Sequence, residues 1–205
     1  MMIYLHHYFL SLRDCQALRL KDTYSLHRAV YNLFPDVRGG KMESSGILFV
    51  NKGSREGRRH ILILSCREAL TPEYGQLQTH TLEESFLEFP CYRFEIVLNP
   101  VRKNAVSGKR EPVRGREAVA AWFMDKAPSW GFQPDAVSLQ VVDITVDSFP
   151  KGEKPVTLSK ARITGALAVT DRNRFLHSFK HGIGHGKAFG CGLLQIAPIL
   201  PNHER

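Results

Sequence analysis

The chain has few cysteines and no long apolar run. Its four cysteines, Cys15, Cys66, Cys91 and Cys191, all lie more than four residues apart. This spacing excludes the cysteine pairs typical of zinc sites. A disulfide framework would be sparse for 205 residues, so we expect reduced thiols and a cytoplasmic protein. No stretch of about 18 apolar residues is present, and no membrane association is predicted. The apolar N-terminus lacks a basic segment and a cleavage site, so it is interpreted as a first strand and not as a signal peptide.

Acidic residues are scarce in the second half of the chain. Residues 1–90 carry 11 Lys or Arg and 10 Asp or Glu, whereas residues 91–205 carry 17 and 10, and the whole chain has a net charge of +8. A basic half beside a near-neutral half favours a polyanionic partner such as a nucleic acid. A basic protein without such a partner would have the same composition.

The first half carries the pattern of a strand, a helix and two strands, followed by a weaker helix and strand. Residues 2–10 form an apolar run of strand length, and Asp22 or Thr23 stands where it can cap a helix. Five apolar residues at helical spacing then predict one buried face: Leu26, Ala29, Val30, Leu33 and Phe34. Pro35 and the Gly39-Gly40 pair are expected to end this helix.

Two further strands are predicted at residues 45–53 and 59–66, joined by a glycine- and charge-rich hairpin loop. Residues 71–90 have no clear pattern.

The second half has the order β-α-β-β-α-β. Alternation gives its first strand one apolar face, formed by Tyr92, Phe94, Ile96 and Leu98. Helices are predicted at 116–131 and 171–184, and later strands at 136–149, 161–170 and 192–199, with a connector at 150–160. This is the order of a ferredoxin-like domain, and the first half opens in the same way. We therefore predict an α+β protein with two tandem ferredoxin-like (RRM-like) domains, residues 1–91 and 92–205, each an antiparallel sheet with helices on one face.

A glycine-rich segment, residues 182–192, lies near the C-terminus. It is one residue short of a Walker A loop and lacks the hydroxyl, and it does not open a helix early in a βαβ unit as a Rossmann fingerprint must. A nucleotide-binding enzyme is therefore disfavoured. Backbone N–H groups in such a segment can approach a phosphate closely, and Lys187 adds a charge. The alternative is a plain helix stop and turn.

Two groups of histidines differ in their surroundings. His177, His181 and His185 have helical spacing, but no acidic or cysteine ligand lies close by and the glycines interrupt the helix, so no metal site is predicted. His27 stands beside the buried stripe of the first helix, about 100° around from Leu26. At the edge of a buried face a histidine can reach a cleft and move a proton near neutral pH. A half-exposed histidine without a special role is the alternative.

Residues 101–116 concentrate positive charge against one glutamate. Such a segment suits a phosphate-lined groove, although a solvated loop is equally compatible. Its basic residues are Arg102, Lys103, Lys109, Arg110, Arg114 and Arg116.

Four segments together resemble one known family. They are residues 23–35, 94–103, 163–169 and 182–198. In this order they resemble the CasE family, the CRISPR repeat-cleaving endoribonucleases of type I-E Cascade. The glycine-rich segment is the most specific element, followed by the Tyr-x-x-His of the first helix and by the strand that precedes the basic segment.

The resemblance implies a function. It implies two tandem ferredoxin-like domains that cut precursor CRISPR RNA at the base of the repeat hairpin, without metal or cofactor. It also implies retention of the product hairpin and assembly with other Cascade subunits. The family's catalytic histidine falls on His27 and its nearby tyrosine on Tyr24, and the basic segment corresponds to an element that enters the RNA major groove. The 2′-OH of RNA would attack the adjacent phosphate, leaving a 2′,3′-cyclic phosphate and a 5′-OH.

A cationic group near the phosphate is also expected, with Lys160 and Lys187 as candidates. Besides the basic segment, the predicted RNA-binding residues are Lys160, Arg162, Gly184, His185, Gly186 and Lys187. A non-catalytic RNA-binding module of RRM type is the main alternative, although the aromatic strand signature of such modules is missing.

Overall fold

The computed structural model describes residues 2–35, 45–151 and 154–200. Its first half contains four strands and two α-helices: β1 (Tyr4–Ser11), α1 (Leu12–Ala17), α2 (Thr23–Tyr31), β2 (Ile47–Arg55), β3 (Arg58–Ser65) and β4 (Gln76–Thr81). The strands form an antiparallel sheet in the order β2-β3-β1-β4, which is the order of a ferredoxin-like sheet. A 3₁₀ turn, Glu84–Leu87, follows β4.

The first helix prediction is confirmed. All five stripe residues are buried. Four of them, Leu26, Val30, Leu33 and Phe34, pack on one face of the sheet with Phe49, Ile61 and Ile63. The α-helix ends at Tyr31, before Pro35; the Gly39-Gly40 pair lies outside the described residues.

Three local predictions differ from the structure. The weak helix between β3 and β4 is absent from residues 66–75, and the short helix α1 was not predicted. The β2–β3 loop is shorter than predicted, because the strands continue to a two-residue turn in which Glu56 and Gly57 have φ of 53° and 74°. Positive φ at both central turn residues matches the twist of the two paired strands. The charged residues predicted to form the loop therefore continue the strand pairing.

The second half forms a larger sheet. Its elements are β5 (Cys91–Leu98), β6 (Val101–Lys103), β7 (Arg110–Pro112), α3 (Arg116–Lys126), β8 (Phe132–Pro134), β9 (Gln140–Lys151), β10 (Lys154–Val169), α4 (Arg172–His181) and β11 (Gln195–Pro198). The order is β11-β5-β10-β8, and β9 also pairs with β10. β10 pairs with β9 and, nearer its C-terminal end, with β8. The second strand of the ferredoxin-like pattern is therefore divided into β8 and β9. β6 and β7 form a separate hairpin.

The strand β10 corrects another prediction. Residues 154–160, expected to be a connector, belong to the strand and pair with β9. Tyr92, Phe94, Ile96 and Leu98 are all buried as predicted, against residues of α3 and α4. Asp171 caps α4 by accepting from the backbone N–H of Arg174, and Gly182 ends it.

A third core joins the two halves. The face of the first sheet that is turned away from α2 contributes Leu48, Val50 and Leu64, which pack against Phe179 of α4 and Leu193. The fold is therefore the predicted pair of tandem ferredoxin-like units. The predicted boundary after residue 91 falls at the first residue of β5 and, as a division into domains, stays a prediction.

Candidate active site and nucleic-acid interface

Helix α2 is fixed at its first turn. The Asp22 carboxylate accepts from the backbone N–H of Ser25 at 2.7 Å, and the Ser25 hydroxyl accepts from the backbone N–H of Asp22 at 3.0 Å. This capping box satisfies backbone donors that the helix leaves unpaired. It holds the turn that carries Thr23 and Tyr24 and directs His27, one turn later, toward the second half of the chain.

His27 lies half-buried among aromatic rings. Its ring centroid is 4.1 Å from that of Tyr31, 6.0 Å from that of Tyr24 and 5.7 Å from that of Phe189. Tyr24 and Tyr31 lie one helical turn before and one turn after His27, so their contacts with His27 follow from the spacing. Phe189 is 162 positions away in the chain, and the sequence predicted no contact between it and His27.

The glycine-rich segment positions Phe189 next to His27. A single 3₁₀ turn, Lys187–Phe189, lies between Gly186 and Gly190, whose φ values are 83° and 80°. These left-handed conformations are easily adopted only by glycine. The turn places the Phe189 ring 4.9 Å from that of Phe149 on β9. The two glycines therefore form the turns on either side of Phe189, whose ring packs against His27.

A hydrogen-bonded group ties α2 to the second sheet. Asp147 Oδ2 accepts from Thr23 Oγ1 at 2.8 Å and from Lys160 Nζ at 2.7 Å. Lys160 is well covered, with 15% of its side chain exposed, against 34% for Asp147. Burial alone would raise the pKa of the Asp147 carboxyl, but the hydrogen bonds from Lys160 and Thr23 and the lysine charge outweigh burial and lower it. Lys160 is thereby held beside the start of the helix that carries Tyr24 and His27.

A cleft of about 250 Å³ opens between the two halves at this point. Its wall includes Thr23, Phe49, Lys160, Arg162 and Phe189. The Arg162 guanidinium lies 3.6 Å from a Glu95 carboxylate oxygen, which also accepts from Lys52 Nζ at 2.8 Å. The cleft therefore contains two of the predicted RNA-binding cations, Lys160 and Arg162, each beside a carboxylate.

Lys187 is hydrogen-bonded to the end of α4. Its Nζ donates to the backbone carbonyl of His181 at 2.7 Å, at the C-terminal end of α4. Burial lowers the pKa of the Lys187 ammonium. The side chain stabilises the end of α4, where a cation is favoured by the helix dipole; its contact with a phosphate stays a prediction.

The predicted basic segment and the glycine-rich segment line one groove. This groove, of about 670 Å³, includes Arg110, Arg114, His185, Gly186 and Phe189 in its wall. His185 forms an isolated β-bridge with Asn99, and its pKa is lowered by burial and then by the charges of Arg110 and Lys187. Phe189 lines both the groove and the cleft, so the two adjoin at the aromatic ring that contacts His27.

The other predicted cations surround this groove. Arg102 and Lys103 lie on β6 and Lys109 just before β7, all exposed. Arg116 opens α3 and donates to the backbone carbonyl of Val142 at 3.3 Å. Across the described ranges, no side chain of the basic segment forms an ion pair with a carboxylate, so these charges are available to an anion. Gly184 lies between α4 and the β-bridge residue His185, and it is exposed.

The remaining histidines and cysteines form no metal-binding cluster in the part of the chain that the structure describes. The rings of His177 and His181 lie 4.5 Å apart on α4. All four cysteines are free, and burial raises the pKa of Cys191 to about 11. Among residues 2–35, 45–151 and 154–200, no helix is long and apolar enough to span a membrane.

Two tandem ferredoxin-like units, with a histidine-bearing helix at their junction and a basic groove beside it, define the class of this protein. The chain belongs to the CRISPR associated protein family, whose model matches residues 3–198. It is 31% identical over 179 residues to the CRISPR-associated endoribonuclease Cse3 of Thermus thermophilus, a match that covers 73% of this chain and 85% of the relative. It is 22% identical over 192 residues to the Cascade subunit CasE of Escherichia coli K12, covering 87% and 94%. The resemblance to the CasE family is thus confirmed.

Among solved structures, the chain is similar to Cse3 bound to a 19 nt RNA. The TM-score is 0.83 at 23% identity, and the match covers 97% of this chain and 100% of the other. This likeness confirms the fold.

Three residues of the site escaped sequence reasoning. Asp147 lies in a strand with an ordinary alternating pattern, Thr23 was considered only as a cap, and Phe189 was one aromatic residue among glycines. A lone large ring among glycines is the local signal that could have identified Phe189.

Proposed function

We propose that this protein cleaves precursor CRISPR RNA at the base of the repeat hairpin and then keeps the product hairpin as a Cascade subunit. The observation that carries the proposal is the placement of His27: it lies between the Tyr24 and Tyr31 rings and contacts Phe189, where the Lys160 cleft meets the basic groove. The names of the relatives, an endoribonuclease and a Cascade subunit, support the same activity.

The proposed reaction uses a nucleophile of the RNA itself. The 2′-oxygen forms a bond to the adjacent phosphorus while the bond from phosphorus to the 5′-oxygen breaks, which leaves a 2′,3′-cyclic phosphate and a 5′-OH. One proton leaves the 2′-OH and one reaches the 5′-oxygen. His27 moves one of these protons, a role that contributes about 10²–10⁴-fold in rate. Tyr24, one turn away, orients His27 or the phosphate.

Lys160 is the better placed of the two candidate cations. Its ammonium has three donors, and Asp147 takes one of them. The others can stabilise the negative charge that develops on the phosphate oxygens. Lys187, by contrast, is hydrogen-bonded to the end of α4.

The basic groove fits a structured RNA. Arg110 and Arg114 of the basic segment line this groove, together with His185 and Gly186 of the glycine-rich segment. Double-stranded RNA is recognised mainly through phosphates and shape, and contacts of this kind depend strongly on salt. Because the product hairpin keeps the same contacts, we expect slow release and near single-turnover behaviour. We also expect the protein to work in the cytoplasm, where its free thiols stay reduced.

Cleavage of CRISPR repeat RNA in the presence of EDTA tests the proposal. We expect cutting of the all-ribose RNA and none when a 2′-deoxy nucleotide replaces the nucleophile. His27→Ala should bind normally and cut at least about 100-fold more slowly, whereas His177→Ala, at an exposed histidine of α4, should cut normally. Cleavage that requires added metal, or an active His27→Ala, would contradict the mechanism. Binding without any cutting by the wild type would favour the non-catalytic alternative.

A further inference from the structure

The first sheet carries an aromatic cluster on the face turned away from α2. His7 and Phe9 of β1 and His60 of β3 are half-buried, and their rings are nearly parallel. The centroids of Phe9 and His60 are 4.7 Å apart with planes 16° apart, and those of His7 and His60 are 5.1 Å and 10° apart. His80 of β4, exposed, meets His7 edge-on at 5.9 Å. We call His7, Phe9, His60 and His80 the aromatic platform.

The platform is not part of the hydrophobic contact between the halves. Toward Leu48 and Leu64 the same face is covered by Phe179 and Leu193. His7, Phe9 and His60 lie outside that core and are only half-buried, so these rings stand partly in solvent.

The charge around the platform suits a polyanion. Strand alternation places Arg58, Gln76 and Gln78 on the same face, beside Ser11, Phe9 and His7 respectively. Arg58 Nη1 donates to Gln76 Oε1 at 3.1 Å. None of the residues that β1, β3 and β4 place on this face carries a carboxylate. Burial lowers the pKa of both His7 and His60, which favours the neutral form of each ring.

Charged side chains link the platform to the cleft beside His27. Lys52 lies close enough to His60 for its charge to act on that ring, and it shares Glu95 with Arg162. Arg162 lines the cleft. A strand leaving the cleft past Arg162 would therefore meet Lys52 and then the His60 ring.

We propose that the aromatic platform binds unpaired RNA that flanks the repeat hairpin, by stacking bases on the rings of Phe9, His60 and His7. Only unpaired bases can offer their faces to aromatic side chains, and such stacking tolerates any sequence. This fits an unpaired segment better than a second duplex. The inference rests on the proposed function for the identity of the RNA, but the stacking itself does not need cleavage.

The test compares RNAs with and without unpaired flanks. The hairpin, blocked by a 2′-deoxy nucleotide at the cut, is titrated alone, with a short 5′ extension and with a short 3′ extension, each extension carrying 2-aminopurine. His60→Ala and Phe9→Leu, which keeps apolar volume but removes the flat ring, should weaken binding of one extended RNA by about five-fold or more and relieve quenching of its 2-aminopurine. The affinity for the bare hairpin and cleavage of the bare all-ribose hairpin should stay unchanged. His177→Ala, an exposed histidine outside the platform, is the matched control.

The outcomes separate the two proposals. Equal affinity of wild type and platform variants for both extended RNAs would overturn the stacking proposal, as would equal losses for bare and extended hairpins. Loss of assembly with Cascade subunits without any change in RNA binding would make the face a protein interface and also overturn it. A wild type that quenches the 2-aminopurine of a free unpaired oligonucleotide, through Phe9 and His60, but never cuts the hairpin would refute the cleavage and leave the platform supported.

Discussion

The ion pair between Asp147 and Lys160 should contribute measurably to stability. Asp147→Asn keeps the shape and the acceptor for Thr23 but removes the charge that faces Lys160. Breaking a fully buried pair costs about 3–5 kcal/mol and breaking an exposed one about 0–1 kcal/mol. With 15% and 34% of the two side chains exposed, this pair lies between those limits, and we expect a loss of about 2 kcal/mol.

Thermal and urea unfolding measure this loss. For a chain of this size a loss of about 2 kcal/mol corresponds to a Tm lower by about 4–8 °C. Asp125→Asn is the matched control, because Asp125 and Lys126 form an exposed pair with 70% and 51% of their side chains accessible, and it should change stability by less than about 0.5 kcal/mol. Adding Lys160→Met to Asp147→Asn should restore most of the loss, since no buried charge is then left unpaired. Equal effects of the two Asp→Asn changes, or no recovery in the double variant, would refute the reasoning.

Three further predictions follow from the site. The stability difference between wild type and Asp147→Asn should be constant from about pH 5 to 7 and shrink as the pH falls below about 4, because a carboxyl with a lowered pKa stabilises only while ionised; a constant difference down to pH 3 would contradict this. Replacing Arg110 and Arg114 with Gln should weaken hairpin binding and reduce the slope of log K against log salt by about 1 per side chain; an unchanged slope would remove both from the interface. Gly192→Ala should destabilise by about 2–4 kcal/mol, because its φ is 86° and the new Cβ would lie 2.5 Å from a carbonyl oxygen, whereas Gly184→Ala, with φ 71° and no atom nearer than 3.6 Å, should cost only about 1–2 kcal/mol in unfolding experiments.

Local patterns predicted the elements whose burial is periodic. The apolar stripe that begins on α2 and the alternation on β5 identified buried residues correctly, since one face of each element packs against a core. The helix predicted at 171–184 begins at its Asp171 cap, because capping depends on neighbouring residues alone. The connector at 150–160 was predicted wrongly, since pairing with a partner strand overrides the weak propensity of Lys and Pro.

By itself the sequence determined the buried faces of α2 and β5, the basic segment, and the placement of His27 and Tyr24 on one helix, because each of these is a property of neighbouring residues. Only the tertiary structure decided that Phe189 contacts His27, that Asp147 joins Thr23 to Lys160, and that Lys187 is hydrogen-bonded to the end of α4. The aromatic platform also belongs to this second group, since His7 and His60 become neighbours only through the register of β1 and β3. Contacts between residues far apart in the chain depend on how two sheets pack and on strand register, and no short-range pattern records either of them.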